Sequence, residues 1–196
     1  MFVEPHIGQG ALRKSGWVEV VCGSMFSGKT EELIRRLNRA LLAQQKVAIF
    51  KPILDSRYHK SKIVSHKDSA INSTPVNFAN DILLRAGDCE VVGIDEAQFF
   101  DEEIVKVANT LANQGKRVIV AGLEMDFKGQ PFHPVDALMA VAEYITKVHA
   151  VCMKCGNVAS YSHRRTKSEQ TIVLGEKDIY EALCRSCFYE ALDNDH

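Results

Sequence analysis

Short continuous apolar runs alternate along this chain with stretches in which apolar residues return every three or four positions. The first run, Trp17 to Cys22, is rich in Val and bounded by glycine, which predicts a buried strand. Beyond the loop that begins at Gly23, Leu33, Ile34, Leu37 and Leu41 recur at helical spacing, and Glu31, Arg35, Arg36 and Arg39 fill the opposite face. The alternation continues with strands at Val47 to Phe50, Val91 to Ile94 and Val118 to Ala121, and helices at Ala79 to Arg85, Glu102 to Ala112 and Val135 to Ala142. Gly115 is placed to cap the helix ending at Ala112, and Tyr144 to Ala150 reads as one more strand. Helices interleaved with strands in this way predict an α/β fold, a parallel sheet covered on both faces.

Two stretches interrupt the alternation. Residues 52–75 carry Pro52, Pro75 and many polar residues and are expected to form a long connection, with room for a short strand at Ile63 to Ser65. From Cys152 the apolar period fades, which predicts a small subdomain organised by metal rather than by a hydrophobic core. Gly8, Gly10 and Gly16 mark a flexible arm. The expected division is therefore an arm at 1–16, an α/β domain at 17–150, a metal-binding subdomain at 151–192 and a flexible C-terminus at 193–196.

Composition narrows the function classes. A chain of 196 residues suits one domain with a small appendage, and 46% hydrophobic with 25% charged residues suits an ordinary folded protein. Lysine plus arginine number 24 against 25 acids, so no positive field is available to hold a polyanion, and nucleic acid is not an expected partner. No apolar h-region follows Arg13 and Lys14, and no run of about 18 apolar residues occurs, so a cytoplasmic location without membrane contact is expected.

Candidate chemistry begins at Gly23-Ser24-Met25-Phe26-Ser27-Gly28-Lys29-Thr30, which fits G-x-x-x-x-G-K-[ST] and lies between a predicted strand and a predicted helix. Loop amides and the positive helix end can surround phosphate oxygens, Lys29 can reach the β- and γ-phosphates, and the Thr30 hydroxyl can ligate magnesium. The alternative is a glycine turn followed by a solvated lysine, and the flanking elements weigh against it. The strand ending at Ile94 runs into Asp95 and Glu96, and strand C-termini border the ligand crevice of a doubly wound sheet. Asp95 is thus a candidate for holding magnesium, directly or through water, and Glu96 for accepting the proton of an attacking hydroxyl. As a bare pair, the two acids would equally well cap the following turn.

Cys152-x-x-Cys155 and Cys184-x-x-Cys187 supply four thiolates in two pairs, the ligand set of a tetrahedral structural zinc site, with redox dithiols or buried free cysteines as the alternative. Four sulfurs leave no open coordination position, so zinc is assigned no part in the chemistry. Cys22 and Cys89 lie in or beside predicted strands and read as small apolar core residues.

Taken in order, these segments resemble the type II thymidine kinases, the zinc-containing cytosolic family. The resemblance spans Gly16 to Phe188. Its carriers are Gly23 to Thr30 continuing into Glu32-Leu33-Ile34-Arg35-Arg36, then Asp55-Ser56-Arg57-Tyr58, Ser65-His66 and Asp95-Glu96-Ala97-Gln98-Phe99-Phe100. Gly122-Leu123-Glu124-Met125-Asp126-Phe127, Cys152-Met153-Lys154-Cys155 and Tyr180 with Cys184-Arg185-Ser186-Cys187 complete it. It implies a RecA-like P-loop core, a zinc-anchored lasso that closes over the nucleoside, and a homotetramer. It implies transfer of the ATP γ-phosphate to the 5′-hydroxyl of thymidine, and also of deoxyuridine, in deoxynucleotide salvage.

The same resemblance makes Glu96 the base and places Asp55, Arg57, Asp95 and Gln98 with the phosphate loop on the ATP side. It places Met25, Leu123, Phe127, Phe132, Ser162, Val173 and Tyr180 around the nucleoside. Read without the family, Phe127, Phe132 and Tyr180 suit ordinary packing as well as base stacking, and Asp55 with Arg57 suits a solvated pair. His66 and Gln98 suit local hydrogen bonding. Two positions depart from the family pattern: Glu176 follows Gly175 where a second glycine is frequent, and Ser162 stands where threonine is common. The N-terminal arm lies outside the resemblance. A RecA-like ATPase acting on nucleic acid or protein, and an ATP-regulated nucleic-acid-binding module, are the competing readings.

Overall fold

The computed structural model describes residues 16–53, 73–165 and 179–194. Asp55, Arg57, His66, Val173, Gly175, Glu176 and the short strand expected at Ile63 to Ser65 lie outside the described residues. The Val-rich runs form a six-stranded sheet of β1 (Trp17–Cys22), β2 (Val47–Pro52), β3 (Thr74–Val76), β4 (Val91–Ile94), β5 (Arg117–Gly122) and β6 (Tyr144–Lys147). Its order is β3-β2-β4-β5-β1-β6 and every neighbouring pair is parallel. The strand that feeds the phosphate loop and the strand that ends in Asp95 therefore flank β5, with their C-terminal ends at one edge of the sheet.

Strand alternation distributes the core. On one face α1 (Lys29–Leu42) packs Leu33, Leu37 and Ala40 against Val21, Ile49, Val91, Ile119 and Ala121. On the other, α2 (Asn80–Arg85), α3 (Glu103–Asn113) and α4 (Val135–Val141) cover Val18, Val20, Cys22, Val92, Ile94, Val118 and Val120. Each fully buried Leu or Ile contributes about 1.5–3 kcal/mol. Gly115, at φ +85, closes α3 by donating its N–H to Ala112 O, as its position in the sequence predicts.

Four differences from expectation have physical causes. Arg36, placed by periodicity on the polar face of α1, is fully buried and points inward. Its guanidinium donates to Glu19 Oε2, Glu32 Oε1 and Thr146 Oγ1, each at 2.8 Å, while Arg117 Nε donates to Glu19 Oε1 at 2.6 Å. A buried charge is admissible there because β1 supplies the counter-charge from a distant part of the sequence. The Arg35 and Arg36 hydrogen bonds outweigh burial and hold Glu32 down to about 2. Its contribution to stability is accordingly complete above the ordinary carboxylate range and is lost as pH falls toward 2.

Thr74–Val76 is a strand although Pro75 suggested a connection. Because β3 is an edge strand, the missing proline N–H leaves no ladder partner unsatisfied. The single strand expected from Tyr144 to Ala150 is two, since β7 (Ala150–Val151) leaves the main sheet and pairs antiparallel with β8 (Val158–Ala159). Finally, the cysteine-bearing segment has a small core of its own. There β9 (Tyr161–Arg164) pairs antiparallel with β10 (Tyr180–Leu183), and α5 (Arg185–Asn194) follows, running into the stretch expected as a flexible C-terminus. Ala150, Tyr161, Ala182, Leu183, Phe188 and Ala191 pack together, with Tyr161 and Phe188 stacked at 4.5 Å between ring centroids.

Candidate active site

From Cys22 the chain passes through Gly23 to Gly28 directly into α1. A Cβ at Gly23 would lie 2.4 Å from Val148 O and 2.6 Å from Ser27 Oγ, so the tight exit from β1 requires glycine. Gly28 takes a left-handed conformation, φ +86, immediately before the helix. The Ser24 and Ser27 hydroxyls are buried and have no hydrogen-bond partner among the described residues. Buried orphan hydroxyls in a glycine loop at a helix N-terminus fit phosphate oxygens. Lys29 Nζ donates to Ser24 O at 2.9 Å. Burial draws Lys29 below the usual lysine range, and Glu96, Glu124 and Asp95 pull it back.

Across from the loop, Thr30 Oγ1 donates to Asp95, 3.3 Å from Oδ1 and 3.2 Å from Oδ2, and Asp95 Oδ1 accepts the Glu96 N–H at 3.0 Å. Burial, then the neighbouring Glu96 charge, pushes Asp95 up to about 7. A hydroxyl beside a carboxylate is an oxygen donor set suited to magnesium, and a cation there would favour the ionised carboxylate.

Glu96 sits in the left-handed region at φ 54, ψ 42, ahead of a 3-10 turn at Ala97–Phe99. A residue with a Cβ costs about 1–2 kcal/mol there. Its side chain is held from both directions: Gln98 Nε2 donates to Glu96 Oε2 at 2.5 Å, while Gln98 Oε1 accepts the Leu123 N–H at 3.0 Å. Since the backbone amide can only donate, the Gln98 amide has one usable orientation, with its NH₂ toward the acid. The carboxylate is oriented as well as near the loop. This gives Gln98 and Leu123 positions that the sequence alone left open.

Of the residues expected around a nucleoside, Val173 lies outside the described residues, and several of the others are linked to one another or to the phosphate loop. The Met25 N–H donates to Ser162 Oγ at 2.9 Å, tying the phosphate loop to β9. The Phe132 N–H donates to Glu124 O at 2.9 Å, and buried Tyr180 is the cross-strand partner of Arg164. The Arg164 guanidinium lies 3.4 Å from the Phe127 ring centroid. The sequence reading did not single out Arg164, and it named Glu124 only within the string Gly122 to Phe127. Arg164 could have been found from strand alternation, two residues after Ser162. Glu124 is buried, with Lys147 Nζ 3.0 Å from Oε1; no pattern in the sequence pairs these two.

Beyond the sheet edge, the sulfurs of Cys152, Cys155, Cys184 and Cys187 all lie within 4.8 Å of one another. Cys155 Sγ and Cys184 Sγ are 3.6 Å apart. Zinc–sulfur bonds of about 2.3 Å arranged as a tetrahedron place sulfurs about 3.8 Å apart, so the four thiols fit one zinc ion. Burial pushes the Cys152 thiol up, but backbone N–H groups at Cys184, Cys155 and Lys154 outweigh it and bring the group down to about 6. Such N–H groups favour a thiolate, the form a metal takes.

A sequence model of the thymidine kinase family matches residues 16–188. The chain is 54% identical over 195 residues to the thymidine kinase of Bacteroides fragilis strain YCH46, covering 100% of this chain and 97% of that protein. It is 53% identical over 195 residues, with the same coverage, to the thymidine kinase of Bacteroides thetaiotaomicron. It is 58% identical over 173 residues to the thymidine kinase of Rhodothermus sp., covering 88% and 81%. The Bacteroides alignments run through the N-terminal arm, which those relatives therefore share although it precedes the family match. Among solved structures, AMPPCP-bound DnaA from Aquifex aeolicus is similar at a TM-score of 0.40 and 16% identity over 69% of this chain and 41% of that one, too remote a likeness to bear on function. With a phosphate loop opposite two carboxylates, a four-thiol cluster and matches of this extent, the chain belongs to the thymidine kinase family.

Proposed function

We propose that this chain transfers the γ-phosphate of ATP to the 5′-hydroxyl of thymidine, and more slowly of deoxyuridine, in deoxynucleotide salvage. The observation that carries the reading is the Glu96 carboxylate, held by the Gln98 amide beside a loop whose Thr30 hydroxyl meets Asp95. Gly23 to Thr30 cradle the triphosphate, joined by Asp55 and Arg57. Thr30 and Asp95 would hold magnesium, which would supply charge neutralisation at the phosphates. Glu96 accepts the proton of the 5′-hydroxyl as its oxygen attacks phosphorus, and Gln98 keeps the accepting carboxylate turned to the task.

Met25, Leu123, Phe127, Phe132, Ser162, Val173 and Tyr180 enclose the nucleoside. An apolar pocket separates substrates differing by one methyl by about 1–3 kcal/mol, which sets the expected preference for thymidine over deoxyuridine. Zinc on the four cysteines pins the segment that closes over the base, residues 151–192 acting as a subdomain on the α/β domain at 17–150. The working form is a cytoplasmic homotetramer that needs neither nucleic acid nor membrane. Among the described residues, no helix is long and apolar enough to cross a membrane.

Purified protein incubated with ATP, magnesium and each nucleoside is expected to yield the nucleoside 5′-monophosphate and ADP, separated by chromatography. ATP hydrolysis with no nucleoside monophosphate would overturn the reading in favour of an ATPase. Cys184→Ser is expected to lower zinc from about one ion per chain to near zero and to raise the thymidine KM by about tenfold or more, with ATP affinity retained. Metal analysis and steady-state kinetics check this. Parallel loss of both substrates would mean that the cluster supports the whole fold instead.

A further inference from the structure

The side chains of β9 are shared between two surfaces by the strand's period of two. Tyr161 and His163 turn toward Phe188, with ring centroids 4.5 and 6.2 Å from it, and belong to the small core beside the cysteines. Ser162 and Arg164 face the other way. Ser162 meets the phosphate loop at Met25, and Arg164 spreads over Phe127. The Arg164 side chain is almost fully buried, at 4% exposure, and its guanidinium is at stacking distance from the ring. A desolvated cation over an aromatic face is held more tightly than an exposed one. Lys128 also approaches the ring, but at 5.5 Å and from an exposed position, where the attraction is weaker.

Phe127 stands in the connection between β5 and α4, in a turn held by Asp126 Oδ1, which accepts the N–H groups of Lys128 and Gln130 at 2.8 and 2.9 Å. The turn fixes the backbone at Phe127, yet its ring keeps two torsions. A planar guanidinium against the ring face restricts that freedom over a wider area than a lysine ammonium does.

We propose that Arg164 is a positioning residue for the nucleoside: by covering one face of Phe127 it sets the ring's plane and leaves the other face as the wall against which the pyrimidine packs. The inference rests on the thymidine kinase reading. It adds a residue whose effect on the nucleoside is exerted through Phe127.

Steady-state kinetics of the zinc-loaded full chain test it, with Arg164→Met, Arg164→Lys, Phe127→Leu and the double variant Arg164→Met with Phe127→Leu. Arg164→Met is expected to raise the thymidine KM about tenfold, the equivalent of about 1.4 kcal/mol, with kcat falling no more than about twofold and the ATP KM unchanged. Arg164→Lys is expected to fall between Met and the native residue, and it carries the comparison if the Met variant does not fold. In the Phe127→Leu background, Arg164→Met is expected to change the thymidine KM by less than about twofold, because the partner is already gone. Wild-type protein that forms no thymidine monophosphate would sink the thymidine kinase reading and this one with it. Active wild-type protein whose Arg164 variants keep the native thymidine KM, lose ATP and thymidine affinity together, or act additively with Phe127→Leu, would overturn this proposal alone.

Discussion

Glu96→Gln is expected to bind ATP with nearly native affinity while kcat falls by about 10²- to 10⁴-fold, the range over which a positioned base accelerates proton transfer. The amide keeps the shape of the acid and still offers an oxygen to Gln98 Nε2, so the local hydrogen bonds survive. What is lost is the ability to take a proton. Rapid-quench measurement of thymidine monophosphate, beside a nucleotide-binding titration, separates the two effects, and turnover within about tenfold of native would reject the assignment. The backbone supplies a second arm. Because Glu96 holds a left-handed conformation, Glu96→Gly is expected to relieve about 1 kcal/mol of strain and raise the melting temperature, while abolishing turnover.

Glu19→Ala is expected to be the most destabilising substitution away from the site. Glu19 and Arg36 are fully buried and Arg117 nearly so, and the carboxylate also accepts the Trp17 Nε1–H at 2.7 Å. Removing it takes their shared counter-charge from two interior guanidinium groups, of which Arg36 keeps the partly exposed Glu32, a change that costs about 3–5 kcal/mol. For a chain of this size that corresponds to a fall in Tm of about 6–20 °C by calorimetry. Replacing all three together, as Glu19→Leu, Arg36→Met and Arg117→Met, is expected to recover most of the loss, since the three charges of this cluster are then removed together. A Glu19→Ala protein melting within about 2 °C of native would show that water reaches the cluster.

The parts of the architecture that were legible in the sequence are those specified locally. Val-rich runs and the glycine loop place β1, β4, β5 and the start of α1 to within a residue or two, because a buried parallel strand must be apolar throughout. What escaped depends on distant partners. Arg36 reads as a surface residue until Glu19 and Arg117 are brought to it. Likewise α5 shows only Phe188, Ala191 and Leu192 as a short apolar face, too little to stand out beside the cysteines. The same holds at the site. The phosphate loop and the Asp95-Glu96 pair are contiguous strings, whereas the Gln98 link from Glu96 to Leu123 and the stacking of Arg164 on Phe127 join segments that only the fold makes neighbours.

On the proposed function, the hydrogen bond from the Met25 N–H to Ser162 Oγ ties the loop that would grip phosphate to a strand on the side assigned to the base. Order gained by either side would then be shared, so that the substrate arriving first would meet part of the entropic cost of seating the second. Thermodynamic reciprocity makes the benefit symmetrical: the factor by which thymidine tightens ATP must equal the factor by which ATP tightens thymidine. Either route of assembly reaches the same ternary complex, and cutting the link with Ser162→Ala would weaken that mutual reinforcement before it weakened either ligand bound alone.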